Sequence, residues 1–259
     1  MQVKSSSIRS IDRAFDIIES FTFKEPLLSL VEIADKTGLP LATVHRILNT
    51  IMERGYIEKD KKTGRYKLGM EFIRVGGIVV HSIDLVCVAT PFLEELAKTT
   101  ELNVNLSVYD RGKALCLINI ESFHKFGYEI KVGQKLPIYA GALSKVIFAH
   151  LSDEEIMQII SQDLELFTPE TISKKEELLR ELTTIKENGY SFSKGELSLG
   201  VKAFGHPVFN YENNLIGGIA ISGPEFFVKE EKESELIQDL KKAATLISGE
   251  LGYKGSNNY

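Results

Sequence analysis

Between Leu28 and Leu68 this chain has little freedom in how it can fold. Ser29 is a good helix N-cap and Glu32, three residues on, completes a capping box, with Leu28 and Ile33 able to staple the start. Gly38 is a natural left-handed stop, so this helix runs for about two turns. A second helix follows at once, opening at Pro40, which suits a first helical turn, and running to Arg54 before Gly55. Val44, Ile47, Leu48 and Ile51 fall at the i, i+3, i+4, i+7 spacing of a buried face. That spacing turns Thr43, Arg46 and Asn49 outward, with Ala42 and His45 beside them. Two short strands, Tyr56–Lys59 and Arg65–Leu68, then flank a tight turn from Asp60 to Gly64. Upstream, residues 8–23 place Ile8, Ile11, Phe15, Ile18 and Phe21 three or four apart, with Ala14 and Ile17 widening the stripe, and Pro26 disfavours helix at Glu25.

Helix, short capped helix, glycine, second helix and hairpin, in that order, make a winged helix-turn-helix. Its second helix has the size of a DNA major groove. The hairpin carries Lys61, Lys62, Arg65 and Lys67 with no acid from Lys61 to Lys67, enough to neutralise a few phosphates. A charged hairpin alone is usually a solvated turn, and a winged helix can also serve protein contacts. The ordered combination is what points to DNA.

Charge adds modest weight. The whole chain carries a net charge of -5, yet residues 1–75 hold 13 Lys and Arg against 10 Asp and Glu while the rest holds 18 against 26. A weakly basic front on an acidic back fits two units with different partners. The composition, 43% hydrophobic and 26% charged, belongs to a globular protein rather than a disordered one. No run reaches the ~18 apolar residues of a membrane span. The start of the chain shows no signal-peptide pattern, and two cysteines, Cys87 and Cys116, cannot make a disulfide framework, so a cytoplasmic setting is expected.

Residues 69–84 have a broad apolar face: Phe72, Ile73, Val75, Ile78, Val79 and Val80. They read either as a dimerisation and signalling helix or as a core helix of the next domain. A single winged helix reads few base pairs, so DNA recognition calls for a dimer. From Leu85 on, helices are expected at 85–100, 142–151, 153–161, 174–188 and 229–250. Strands are expected at 102–109, 114–120, 128–132, 190–194, 202–210 and 215–222, with 133–141 a loop. Alternation in Asn103–Tyr109 suggests a half-exposed antiparallel strand. The class is α+β, a sheet with helices packed against it.

No catalytic motif is legible. The histidines are scattered, there is no Cys-x-x-Cys and no phosphate loop, and nothing calls for a cofactor or metal. Ser144 and Lys145 read as a nucleophile and base would project about 100° apart on a helix. An enzyme with an accessory winged helix is the rival reading. What the back half offers is a pocket: the turn into the helix at Ala142–Ser144 exposes N–H groups that suit a carboxylate, and Gly200, Gly217, Gly218 and Gly223 allow close approach, unless they are ordinary turn glycines.

Several segments in order then resemble the IclR family, the isocitrate lyase regulator type of bacterial transcription factor: SIRSIDRAFDIIESF, SLVEIADKTGLPLATVHRILNTIMERGYIEKD, TGRYKLG, QKLPIYAGALSKVIFAHL, TPETI, ENGYSFSKGELSLGV, HPVF and GGIAISGP. The resemblance covers about residues 8–252. It implies a winged helix-turn-helix over 1–68, a dimerising linker helix over 69–84 and a GAF-like effector-binding domain over 85–259. It implies a homodimer, or a tetramer built as a dimer of dimers, that binds double-stranded operator DNA and a small effector such as an organic, sugar or aromatic acid. The DNA-facing set becomes Ser29, Leu41, Ala42, Thr43, Arg46 and Asn49, with Lys62 and Arg65 from the wing. The effector set becomes Ala142, Leu143 and Ser144 through backbone groups, then Ser193, Glu196, Ala203, Ala220 and Ser222. The chain departs from the family pattern in having Leu41 and Ala42 for a polar pair, Ser144 for a glycine, Ser193 for an acid of some relatives, and the apolar Ala203 and Ala220. Its pocket therefore has fewer polar side chains, which fits a less polar effector or a carboxylate held mainly by N–H groups.

Overall fold

Local signals dominate residues 8–81 of the computed structural model, which describes residues 8–81, 84–122 and 130–254. Helices α1 (Arg9–Glu19), α2 (Leu30–Thr37) and α3 (Leu41–Glu53) are followed by strands β1 (Ile57–Lys59) and β2 (Tyr66–Leu68) and by helix α4 (Glu71–His81). Both halves of the capping box form: Glu32 N–H donates to Ser29 Oγ at 3.3 Å and Ser29 N–H donates to Glu32 Oε2 at 2.7 Å. Gly38 closes α2 at φ 66°. Ile17, Leu28, Ile33, Val44, Leu48, Ile57 and Tyr66 form the core. β1 and β2 pair antiparallel, and Leu28 bridges to Tyr66 through two backbone hydrogen bonds of 2.9 and 2.7 Å, so the segment before α2 is stitched to the wing.

Helix α1 differs from expectation. It ends at Glu19, where the Ser20 hydroxyl donates to the Ile17 carbonyl. Ile17 is buried, whereas Ile8, Ile11 and Phe15 are exposed. The helix has apolar residues around two faces, and the core takes the Ala14–Ile17–Ile18–Phe21 side. α4 starts at Glu71, and the expected linker residues 82 and 83 lie outside the described residues.

A second unit starts at Asp84. Its order is α5 (Asp84–Thr100), β3 (Asn103–Asp110), β4 (Lys113–Ile120), β5 (Lys135–Pro137), α6 (Ala142–Phe148), α7 (Asp153–Ile160), α8 (Lys175–Asn188), β6 (Ser191–Lys194), β7 (Val201–Phe209), β8 (Leu215–Pro224) and α9 (Glu230–Glu250). The strands make one antiparallel sheet ordered β5-β4-β3-β8-β7-β6. Consecutive residues on β8 face opposite sides: a Cβ at Gly217 would meet Leu85 of α5, and one at Gly218 would meet Val146 and Ile147 of α6. α5 and α9 pack together on one face, and α6, backed by α8, packs on the other.

Two sequence expectations need correction here. The described part of the strand expected at 128–132, residues 130–132, is not strand, and 128–129 lie outside the described residues. The chain instead turns at Gly133 (φ 83°) and pairs Lys135–Pro137 with β4, inside the stretch expected to be loop. Pro137 is tolerated because β5 is an edge strand. β3 is not half-exposed: it is central, both faces are covered, and even Asn105 and Ser107 are buried.

Candidate nucleic-acid interface and ligand cavity

On α3 the buried side is Val44, Leu48 and Ile51, so the helix periodicity leaves Leu41, Ala42, Arg46 and Asn49 exposed and Thr43 half-buried on the other side. Ser29 is half-buried at the start of α2, its hydroxyl oxygen committed to the Glu32 amide. Glu32 itself is held below the usual carboxylate range, first by the Ser29 backbone amide and then by its hydroxyl and Arg65. In the wing, Asp60 Oδ1 accepts from the Lys62 and Thr63 amides and the Thr63 hydroxyl, which keeps its carboxyl ionised below the ordinary range and locks the turn. Lys62 is exposed at that turn.

Arg65, expected from the wing as a DNA contact, is also held within the unit. Its Nη2 lies 2.9 Å from Glu32 Oε1 and its Nη1 donates to the Leu27 carbonyl at 3.2 Å. Lys67 pairs with Glu58 at 3.1 Å. Arg65 ties the wing to the α2 cap, and Lys61 and Lys62 are exposed at the wing turn.

The second unit has a cavity of about 40 Å³ between α6 and the sheet. Its floor follows from register. Ser193 pairs with Ala203 and Ala203 with Ser222 in one row across β6, β7 and β8; Gly205, Ala220 and Asn105 make the next row across β7, β8 and β3. Small residues in neighbouring rows leave the space that larger side chains would fill. All eight residues expected at the effector site line this one cavity: Ala142, Leu143, Ser144, Ser193, Glu196, Ala203, Ala220 and Ser222. Sequence reasoning missed Asn105, Ile130, Leu136, Leu197 and Val201, which line it too. The polar Asn105 on a central strand was the available signal.

The roof is the loop from Gly195 to Gly200, with φ of 75° and 77° at its two glycines. The Thr168 hydroxyl donates to the Gly195 carbonyl at 2.8 Å and the Thr171 hydroxyl to the Glu196 carbonyl at 2.7 Å. Leu197 closes the cavity over Gly141, where a Cβ would stand 2.7 Å from Leu197 Cδ1. A volume of this size holds only a water or two.

Lys145 is 1% exposed and sits 2.6 Å from carboxylate oxygens of both Glu181 and Glu196. Glu196 Oε2 also accepts from the Gly141 amide at 3.0 Å. Lys145 is thereby committed to two carboxylates, which removes it as the base in a Ser144–Lys145 pair. Among the described residues no group of three or more His, Cys, Asp or Glu is placed to hold a metal ion.

Comparison with known proteins places this geometry. Residues 10–61 match the IclR helix-turn-helix domain and residues 77–249 match the bacterial transcriptional regulator IclR C-terminal domain. The HTH-type transcriptional regulator KipR of Bacillus subtilis is 32% identical over 95% of this chain and 98% of its own length. The Thermotoga maritima IclR crystal structure superposes with a TM-score of 0.76 at 27% identity, covering 95% of this chain and all of that one. An IclR homologue from Microbacterium hydrocarbonoxydans, solved in complex with 4-hydroxybenzoate, shares the fold with a TM-score of 0.83 at 21% identity, covering 93% and 98% of the two chains. These relatives are regulators of transcription, not enzymes. With a winged helix-turn-helix in front and a cavity-bearing α+β unit behind, matched by both family models, this chain belongs to the IclR family of DNA-binding, effector-responsive transcriptional regulators.

Proposed function

We propose that α3 and the wing turn contact operator DNA, that the α4 segment of the 69–84 linker joins two copies of the chain, and that the cavity beneath α6 takes the effector. The observation that carries the effector assignment is the convergence of eight residues, drawn from α6, β6, β7, β8 and the Gly195–Gly200 loop, on a single cavity. Thr43, Arg46 and Asn49 carry base and phosphate contacts; Leu41 and Ala42 offer apolar contact of the kind thymine methyls accept. Ser29 lies at a capped helix start, and Lys62 and Arg65 supply phosphate contact from the wing, Arg65 also tying that wing to the start of α2.

The effector is a small carboxylic acid with an apolar body. Ile130, Leu136, Leu143, Leu197 and Val201 supply apolar wall, and no Lys, Arg or His is among the described residues that line the space. Hydroxyls of Ser144, Ser193 and Ser222 and main-chain N–H groups are therefore the available partners for its oxygens. The aromatic acid bound by the Microbacterium homologue belongs to the same chemical class. Effector binding favours one arrangement of paired recognition helices over another and changes operator affinity by a coupling of about 1–3 kcal/mol. The site of action is the cytoplasm, where operator DNA lies; no single helix among the described residues is long and apolar enough to cross a membrane.

Two measurements test this. Arg46→Ala is expected to weaken operator binding by about 1–3 kcal/mol in a mobility-shift assay while leaving the melting temperature unchanged, and Lys62→Ala to weaken all DNA alike and reduce the salt slope by about one. A thermal-shift screen of organic, sugar and aromatic acids should return at least one stabilising ligand. Unchanged operator binding by Arg46→Ala removes α3 from the interface, and a panel without a single stabilising acid removes the effector assignment.

A further inference from the structure

One wall of the cavity restricts what charge it admits. Glu196 is 5% exposed, and both of its carboxylate oxygens are used: Oε1 by Lys145 at 2.6 Å and Oε2 by the Gly141 amide at 3.0 Å. Lys145 in turn serves Glu181, also at 2.6 Å. The cluster thus sets two carboxylates against one ammonium, beside a cavity whose described lining residues include no cation. An incoming anion finds the ammonium already shared and a surplus negative charge at the wall.

Ser144 supplies the second constraint. It is 0% exposed, it lines the same cavity, and its Oγ has no hydrogen-bond partner among the described residues. A buried hydroxyl without a partner is costly, and a ligand oxygen able to accept from it recovers that cost.

Resting on the effector reading above, we propose that this cavity selects a small oxygen-bearing ligand with no more than one negative charge, that the Ser144 hydroxyl donates to that ligand, and that Glu196 excludes dianions. Ser144 and Glu196 are specificity determinants of opposite sign: one rewards an acceptor oxygen, the other penalises a second carboxylate.

The experiment uses the full chain and matched acids, pyruvate against oxaloacetate and benzoate against terephthalate, by calorimetric titration. At least one monoacid is expected to bind, with its diacid partner at least about tenfold weaker. Ser144→Ala should weaken the monoacid by about fivefold to tenfold. Glu196→Gln should bring monoacid and diacid to within about threefold of each other. Because that change also strips Lys145 of a partner, Glu181→Gln, at the outer end of the cluster where the side chain is 27% exposed, is measured beside it and should narrow the gap partway. A diacid that binds as tightly as its monoacid partner overturns the charge rule, and unchanged monoacid affinity in Ser144→Ala overturns the role of the hydroxyl. In either case monoacid binding itself leaves the cavity assignment standing, whereas no binding by any of the four acids overturns both together.

Discussion

His150 and His206 show how single side chains set the conditions under which this fold holds. Burial pushes both imidazoles below the ordinary histidine value; Lys186 adds to this at His150, and Lys241 together with His150 adds to it at His206. Hydrogen bonds to the Val146 and Pro207 carbonyls work in the opposite direction but do not reverse the shift. Both rings take up a proton less readily in the folded chain than in the unfolded chain, which does so near the ordinary value of 6.5. The stability they contribute is therefore present above that value and is lost as pH falls through it toward the lower folded values. The melting temperature should decline from about pH 7.5 to about pH 5.5, and His206→Gln should flatten that decline. An equal slope in the variant would remove His206 from the effect. Arg65 makes a related point about reading charge from sequence: 43% of its side chain is exposed, yet its guanidinium is occupied by Glu32 and the Leu27 carbonyl. A cation in a wing can hold the fold locally while part of its side chain stays exposed.

Helix α6 lies on the sheet because the sheet lets it come close. A Cβ on Gly205 would stand 2.5 Å from Ser191 Oγ and 2.7 Å from the Ala142 carbonyl oxygen, the second being backbone that cannot swing aside. Ser191 Oγ already donates to that same carbonyl at 2.7 Å. Gly205→Ala is expected to cost about 1–3 kcal/mol in denaturant unfolding by forcing α6 off the strand, and to weaken any acid bound beneath α6. A variant with native stability would mean the helix has room to shift. Elements differ in how far the sequence reveals them. α2 and α3 are legible because the capping box, Gly38 and the Val44–Leu48–Ile51 spacing are all local. β5 is not, because Lys135–Pro137 is a strand only through its pairing with Lys113–Leu115 some twenty residues earlier. The cavity residues are expected from resemblance and from small residues near turns; the Lys145 cluster is not, since its partners lie 36 and 51 positions away. The outer face of α1 is hard to read for a similar reason: an apolar stripe does not say which neighbour covers it.

Apolar surface left uncovered in the first unit bears on assembly. Ile73 and Ile78 of α4 are 66% and 62% exposed, and Phe15 of α1 is 57% exposed. Single exposed apolar residues are ordinary, but several along one linker helix fit association of two copies. Ile73→Glu combined with Ile78→Glu should give a monomer by light scattering and lose specific operator binding, because one winged helix spans too few base pairs. A variant that stays dimeric would place the interface elsewhere. The stitch between Leu28 and Tyr66, reinforced by Arg65 on Glu32, has a consequence for signalling. With the hairpin joined to the start of α2 at both backbone and side chain, neither can be loosened alone. On the function proposed above, occupancy of the cavity in the second unit would reach the operator by moving each reading head bodily, as a change in the distance between two heads and not in the shape of either.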